Sequence, residues 1–480
     1  MTTPLWSAEE VLRAVHGRCV HEQTWTAQGV SIDTRTLQPG DLFVALRGPT
    51  HDSHAFVDQA FARGAVAALV DKAAPRVPAD APLVGVEDTL SALGDLARVA
   101  RTRSHAKVLA VTGSVGKTST KEQLRVMLES QGGVHASVGG LNNHWGVPLS
   151  LARLPEDTPY AVLEVGMNHP GEITPLTKLV RPHLALITTV EAVHLEYFPS
   201  LEAIADAKAE IFQGVETGGT AVLNRDNPLY ARLAAAAKAA GIKTILSFGR
   251  DGKATARLLD LKVDAPGIFT ARAVVDGVNV TYRLAAPHPG QVLNALGALL
   301  AVQAVGADLA VCALALEAWR PAPGRGTRHT VRLGTGTSFT LLDESYNASP
   351  VAVRAALAAL GAAPVGPGGR RVAVLGDMRE LGPEGPALHQ SLAAAVEESN
   401  LDQVHVCGPL MAGLHAALPV ARRGVLASNS ADLAPVVAAQ MGPGDVVMVK
   451  GSASMKMGLV VAALRALEVP AAAGSERAAG

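Results

Sequence analysis

The chain has 480 residues, so two or three domains are expected, and 48% of them are hydrophobic, enough for several cores. A formal net charge of −1 and an aromatic content of 4% argue against a basic, base-stacking surface, so nucleic acid is not expected as a partner. Cys19, Cys312 and Cys407 have neither metal-ligand spacing nor a disulfide framework. The start Met1-Thr2-Thr3-Pro4-Leu5-Trp6 lacks the basic and apolar regions of a signal peptide. Charges or glycines interrupt every apolar stretch before the roughly 20 residues a membrane span needs. The expectation is a cytoplasmic protein with reduced thiols and no membrane span.

In chain order, residues 1–104 show strand-like runs at 42–46 and 67–70, helical spacing at 54–63 and 89–103, and a Pro-rich piece near 75–82. The second block, 105–322, opens with Val108-Leu109-Ala110-Val111 and a Gly-rich loop. Apolar runs at 161–163, 184–187 and 221–223 then alternate with helices, the pattern of a parallel sheet covered on both faces. From 254 to 284 the residues alternate around Asp276-Gly277, a dipeptide suited to a type I′ hairpin, so an antiparallel appendage is expected. A helix over 291–305 closes the block. Pro321-Ala322-Pro323-Gly324-Arg325-Gly326 reads as a linker. In 323–480, strands at 340–342, 372–375, 403–406 and 446–449 alternate with helices, and the tail 469–480 is expected to be disordered. The fold class is α/β in three domains: a small α/β domain, a central phosphate-loop domain built on a parallel sheet with an antiparallel appendage, and a C-terminal Rossmann-like domain.

The run Thr112-Gly113-Ser114-Val115-Gly116-Lys117-Thr118-Ser119 follows a strand and precedes a helix. Glycines let backbone N–H groups turn toward an anion, and the helix N-terminus adds partial positive charge. Lys117 can reach β- and γ-phosphates, and the Thr118 hydroxyl can ligate magnesium. The loop is a shortened form of the common phosphate loop and says only that a nucleotide binds. Glu164 ends the next apolar strand, where ligands gather in open parallel sheets. His194 follows another strand end, and Lys208 lies on a predicted helix. Taken singly, these three read equally as a solvated acid, a structural histidine and a surface lysine.

Together the motifs resemble the Mur ligase family, most closely its MurF type, over nearly the whole chain. Ser31-Ile32-Asp33-Thr34-Arg35 and 39–46 look like its UDP-binding domain, as does 52–56, with Ser53 where glycine is usual. Asn142-Asn143-His144-Trp145-Gly146-Val147-Pro148 resembles its paired-asparagine substrate motif. Asn294 matches its adenine-contacting asparagine, although Gly290 replaces the histidine common four residues earlier. Asp343-Glu344-Ser345-Tyr346-Asn347-Ala348-Ser349-Pro350, the loop 376–382 and Lys450-Gly451-Ser452 resemble the segments that set the MurF type apart; Ala453 stands where arginine is frequent.

The resemblance implies an ATP- and magnesium-dependent monomeric ligase that joins UDP-MurNAc-tripeptide to D-Ala-D-Ala through an acyl phosphate in peptidoglycan precursor synthesis. It implies that Arg325, Asp343 and Asn347 contact ATP, that Ser31, Asp33, Arg35, Asn142 and Asn143 hold the UDP substrate, and that Asp377, Lys450 and Ser452 hold the dipeptide. It places metal on Thr118, Glu164, His194 and a carbamylated Lys208. The alternatives are a sister ligase adding a single amino acid to a UDP-MurNAc-peptide or glutamate to folate, and a regulatory nucleotide-binding switch.

Overall fold

The structure, a computed structural model, describes residues 4–19, 24–48, 51–72, 77, 80–334 and 336–469. The expectation for the tail beyond Val469, and part of the Pro-rich piece, lies outside these residues.

The N-terminal block carries a five-stranded sheet in the order Arg18–Cys19, Leu83–Gly85, Ala67–Val70, Asp41–Val44, Gly29–Ser31. All its pairings are parallel except that of the first edge strand. Helix Thr89–Arg103 begins where the Asp88 carboxylate accepts from the Ser91 N–H, and it buries Ala92, Leu93, Leu96, Ala97 and Ala100 along one stripe. The helix expected over 54–63 is shorter. Asp52 accepts from the His54 N–H and starts a 3-10 turn, Ser53–Phe56, and only Val57–Ala62 is α-helical.

The central sheet has nine strands in the order Val134–Ala136, Tyr160–Glu164, Lys107–Thr112, Leu184–Ile187, Thr220–Asn224, Thr244–Gly249, Ala256–Ala265, Ile268–Val275, Val278–Ala285. Strand order reverses at Lys107–Thr112, which places a crevice at its carboxyl end. The strand is covered on both sides: Leu109 and Val111 pack with Leu124, Val292 and Leu296, and Val108 and Ala110 with Leu151, Leu163 and Ile187. Each such Val, Leu or Ile side chain contributes about 2 kcal/mol by leaving water, which outweighs local propensity and explains the unbroken apolar runs.

The expected antiparallel appendage is present and continues the central sheet. Phe248 pairs in parallel with Ala256, so the same sheet runs on into the hairpin strands. Asp276 and Gly277 both take positive φ (45° and 81°) at the turn between Val275 and Val278, as a type I′ hairpin requires.

The C-terminal sheet has the order Thr327–Arg332, Ser338–Glu344, Val446–Lys450, Arg371–Gly376, Gln403–Cys407, Arg423–Ala427, parallel apart from its first pair. Thr327–Arg332 escaped sequence reading because it is a polar edge strand with one buried residue, Val331. The first two blocks are tied by polar contacts as well as packing. The Trp6 indole N–H donates to the Ala152 carbonyl (2.8 Å), and the Arg101 guanidinium donates to the carbonyls of Val180 and Arg181 (2.7 Å each).

Candidate active site

Between Lys107–Thr112 and helix Lys117–Glu129 the chain turns through Gly113 (φ 145°) and Gly116 (φ 88°). Neither glycine has room for a side chain. A β-carbon on Gly113 would stand 1.9 Å from the Thr188 hydroxyl, and one on Gly116 2.2 Å from the Asn294 amide nitrogen. Thr188 donates to the Val115 carbonyl (2.7 Å). The Ser114 hydroxyl donates to the Glu191 carbonyl (3.0 Å) and accepts from the Glu191 N–H (2.9 Å). The loop is therefore clamped by the strand end at 188–191, and no side chain caps the helix behind it. Its first N–H groups remain available to an anion.

Glu164 ends strand Tyr160–Glu164 and is buried. Its carboxylate accepts from the Thr118 hydroxyl (2.8 Å) and the Asn142 amide (2.7 Å). Lys117 donates to the Gly113 carbonyl (2.8 Å). Burial pulls its ammonium below the ordinary lysine range, with Glu164 opposing and Arg325 adding to the shift.

A cavity of about 330 Å³ opens on this loop and is lined from both the central and the C-terminal blocks. Ser114, Val115, Gly116, Lys117, Thr118 and Ser119 line it, with Asn142 and Glu164 beside them and Asn294 near the loop. From across the linker come Arg325, Asn347 and Lys450; His194 closes another side. The Arg325 guanidinium stacks 3.7 Å from the centroid of the Tyr346 ring. Lys450 donates to Glu344 (3.2 Å) and to the Asn347 carbonyl (3.0 Å). A larger, mainly apolar cavity of about 1070 Å³ adjoins it, sharing Val115, His288, Asn294 and Glu344.

Other residues singled out from sequence lie outside the lining. Thr112 is buried in the strand. Gly113 turns the chain and packs against Thr188. Asn143 accepts from the N–H groups of Trp145 (3.2 Å) and Gly146 (3.0 Å), opening helix Gly146–Ala152. Asp343 accepts from the Gly324 N–H (3.0 Å) and the Ser345 hydroxyl (2.6 Å), which shapes the linker. Asp377 is fully buried and accepts from the N–H groups of Leu410 (3.1 Å) and Met411 (2.9 Å). The Ser452 hydroxyl accepts from the Arg379 N–H (2.8 Å). Ser31 is buried in the N-terminal block, where Arg35 pairs with Asp33 (2.6 Å) and holds that carboxyl below the usual range. Lys208, on helix Leu201–Ala209, is buried and has no hydrogen bond or ion pair among the described residues. Burial, and then the charge of Lys117, push its ammonium far below the ordinary lysine range.

The Thr118 hydroxyl and Glu164 carboxylate are oxygen donors of the kind magnesium takes, a metal commonly held by one or two protein oxygens and completed by phosphate and water. Among the described residues no group of three His, Cys, Asp or Glu side chains gathers as a self-sufficient metal cage. The arrangement suits a cation that arrives with a phosphate. Sequence reading missed Thr188, Glu344 and Glu380; Thr188 carried a usable signal, its place at a strand end beside the loop.

Three family models match in succession: "Mur ligase family, catalytic domain" over residues 26–101, "Mur ligase middle domain" over 111–302, and "Mur ligase, glutamate ligase domain" over 328–453. A relative from Rickettsia prowazekii, named UDP-N-acetylmuramoyl-tripeptide–D-alanyl-D-alanine ligase, is 31% identical over 90% of this chain and 94% of its own. The chain belongs to the Mur ligase family, in its MurF branch. Relatives of the same name from Escherichia coli (38% identical; 79% of this chain, 81% of that one) and Bacillus subtilis (32%; 94% and 96%) agree. The crystal structure of MurF from Acinetobacter baumannii matches with a TM-score of 0.82 at 29% identity, over 97% of this chain and 99% of that one. MurF from Thermotoga maritima, solved in complex with ADP, matches at 0.75 and 27%, over 92% and 97%. This Mur ligase keeps its phosphate loop at the point where the central and C-terminal blocks face each other.

Proposed function

We propose that the chain is an ATP-dependent amide ligase that joins the terminal carboxylate of UDP-N-acetylmuramoyl-tripeptide to the amine of D-Ala-D-Ala. The observation that carries this reading is the clamped loop, with Glu164 on Thr118 and Asn142 beside it, facing Arg325, Asn347 and Lys450 across one cavity. It is supported by relatives, aligned over 79% to 94% of this chain, that bear one enzyme name. The reading divides the chain at 1–104, 105–322 and 323–480, with the UDP end on the first part, ATP on the second and the dipeptide on the third.

A carboxylate is a poor acyl donor, and ATP makes it a good one. The carboxylate oxygen attacks the γ-phosphorus, the bond to the β-phosphate oxygen breaks, and ADP leaves an acyl phosphate. The neutral dipeptide amine then attacks the acyl carbon, a tetrahedral intermediate forms, and phosphate departs as the amine proton passes to solvent. Such chemistry needs positioning and charge neutralisation more than a strong base. The loop N–H groups and Lys117, once released from the Gly113 carbonyl, hold the phosphates. Arg325, pre-oriented on Tyr346, meets them from the C-terminal side. The adjoining apolar cavity, with Asn294 at its edge, suits the adenine.

Thr118 and Glu164 would hold magnesium, with His194 and a carbamylated Lys208 serving a second ion; the metal supplies neutralisation of phosphate charge. Because acyl phosphates hydrolyse, enclosure between two blocks also keeps water out. The test is phosphate release with UDP-MurNAc-tripeptide and ATP. Release that responds to D-Ala-D-Ala and not to free amino acids is expected; the opposite preference assigns the chain to a sister activity.

A further inference from the structure

His194 and Glu380 are non-glycine residues in the left-handed backbone region, with φ of 57° and 62°. Such a conformation is disfavoured for an L-residue and persists where the surroundings impose it. These two strained residues, 186 positions apart, meet side chain to side chain. The His194 Nδ1 lies 2.5 Å from a Glu380 carboxylate oxygen. One comes from the loop after Leu184–Ile187 in the central block, the other from the loop after Arg371–Gly376 in the C-terminal block.

The contact is built on both sides. The Glu196 N–H donates to the Glu380 carbonyl (3.2 Å). A β-carbon on Gly382 (φ 59°) would stand 3.1 Å from the Glu196 backbone, a tight contact that marks how closely the two loops approach. Behind Glu380, Arg379 is anchored through its N–H to the Ser452 hydroxyl. His194 lines the phosphate-loop cavity, and its Nε2 has no hydrogen-bond partner among the described residues. A carboxylate on Nδ1 fixes the imidazole as the Nδ1–H tautomer, turns the ring, and leaves the Nε2 lone pair as a donor to a metal.

We propose that Glu380 is a positioning residue: it orients the His194 imidazole for the metal–nucleotide site, so that the central block's site is complete only with the C-terminal block against it. The inference rests on the reading of the cavity as a metal–nucleotide site.

The experiment is a manganese titration of the full chain with a non-hydrolysable ATP analogue, read by electron paramagnetic resonance. It compares the parent, Glu380→Gln, His194→Ala and the double variant, with melting temperature as the check on folding. Outer partners of metal-bound histidines are typically worth about 10- to 100-fold in metal affinity. Glu380→Gln is expected to weaken manganese binding roughly tenfold with an unchanged melting temperature. Adding Glu380→Gln to His194→Ala is expected to cost nothing more, because the two act through one ring. Glu380→Asp, one methylene short of the ring, should fall between parent and Glu380→Gln. Undiminished manganese affinity in Glu380→Gln, or a full additional loss in the double variant, overturns the proposal while leaving the site reading intact. Failure of the parent itself to bind manganese with the analogue overturns both. Should Glu380→Gln lower the melting temperature, ¹⁵N spectra of the histidine side chains decide: an Nδ1–H His194 in the parent is required, and an Nε2–H form refutes the orientation.

Discussion

Thr188 fills the space that a side chain on Gly113 would need: its hydroxyl oxygen stands 1.9 Å from the position of a β-carbon there. The same hydroxyl donates to Val115 inside the loop, so one residue both excludes a side chain and fixes the turn. Gly113→Ala must displace Thr188 and strain a backbone at φ 145°. Loss of about 3 kcal/mol of nucleotide-dependent catalysis, roughly 100-fold or more in kcat/KM, is expected from misplacing loop donors of this kind. Adding Thr188→Ala relieves the clash and not the backbone strain, so nucleotide binding by calorimetry should recover only in part. Full recovery would show that φ at Gly113 carries no cost.

Glu164 joins the loop helix to the asparagine motif through one carboxylate. Glu164→Gln keeps an acceptor for Thr118 and removes the negative charge. The expected outcome is a kcat about 100- to 1000-fold lower, with magnesium saturation moved to higher concentration and melting temperature within a few degrees. Thr118→Val should shift magnesium saturation in the same direction, whereas Thr118→Ser should stay near the parent. Steady-state kinetics across a magnesium series reads all three.

The parts of this arrangement that were legible in the sequence are those where backbone geometry or chemistry narrows the choice to one or two residue types. Gly113, Gly116, Lys117 and Thr118 are such positions, and so is Asp276-Gly277, whose positive φ angles match the type I′ turn. The doubly covered strands were legible because both faces of Val108-Leu109-Ala110-Val111 are buried. Thr327–Arg332 was hidden because an edge strand needs only one apolar residue, and the continuity of the nine-stranded sheet was hidden because periodicity carries no information on which strands pair. The His194–Glu380 contact joins residues 186 positions apart, and nothing local to either marks the other. Motif resemblance named Lys208 and Asp377, while their burial and partners follow only from packing.

Lys208 offers a direct test of its own chemistry. A buried lysine without a partner anion is favoured as the neutral amine, the form that adds carbon dioxide to give a carbamate. With ¹³C-bicarbonate, the parent chain is expected to show one slowly exchanging carbamate carbon resonance that Lys208→Met lacks. Lys208→Ala should lose activity at least about 100-fold and regain part of it with formate or acetate, which can place a carboxylate in the vacated space. Unchanged turnover in Lys208→Met would remove Lys208 from the mechanism.

His405 links acidity to the stability of the C-terminal block. The ring is buried in strand Gln403–Cys407; its Nδ1 accepts from the Val425 N–H (3.1 Å), and its Nε2 has no partner. Burial, and secondarily the charge of Arg370, hold its pKa down to about 4. Because the unfolded chain takes up this proton near pH 6.5 and the folded chain only near 4, stability from the neutral ring is complete above 6.5. It is lost as pH falls between those values, by about 3 kcal/mol in all. His135, His183, His288 and His389 are also lowered by burial and act in the same direction, so the parent slope is a sum. The difference between parent and His405→Gln isolates one member. Urea midpoints at pH 7.5 and pH 4.5 should separate the two proteins less at the lower pH, because the variant has no proton to exclude. Parallel loss of stability in both would mean that the His405 ring reaches solvent protons without unfolding.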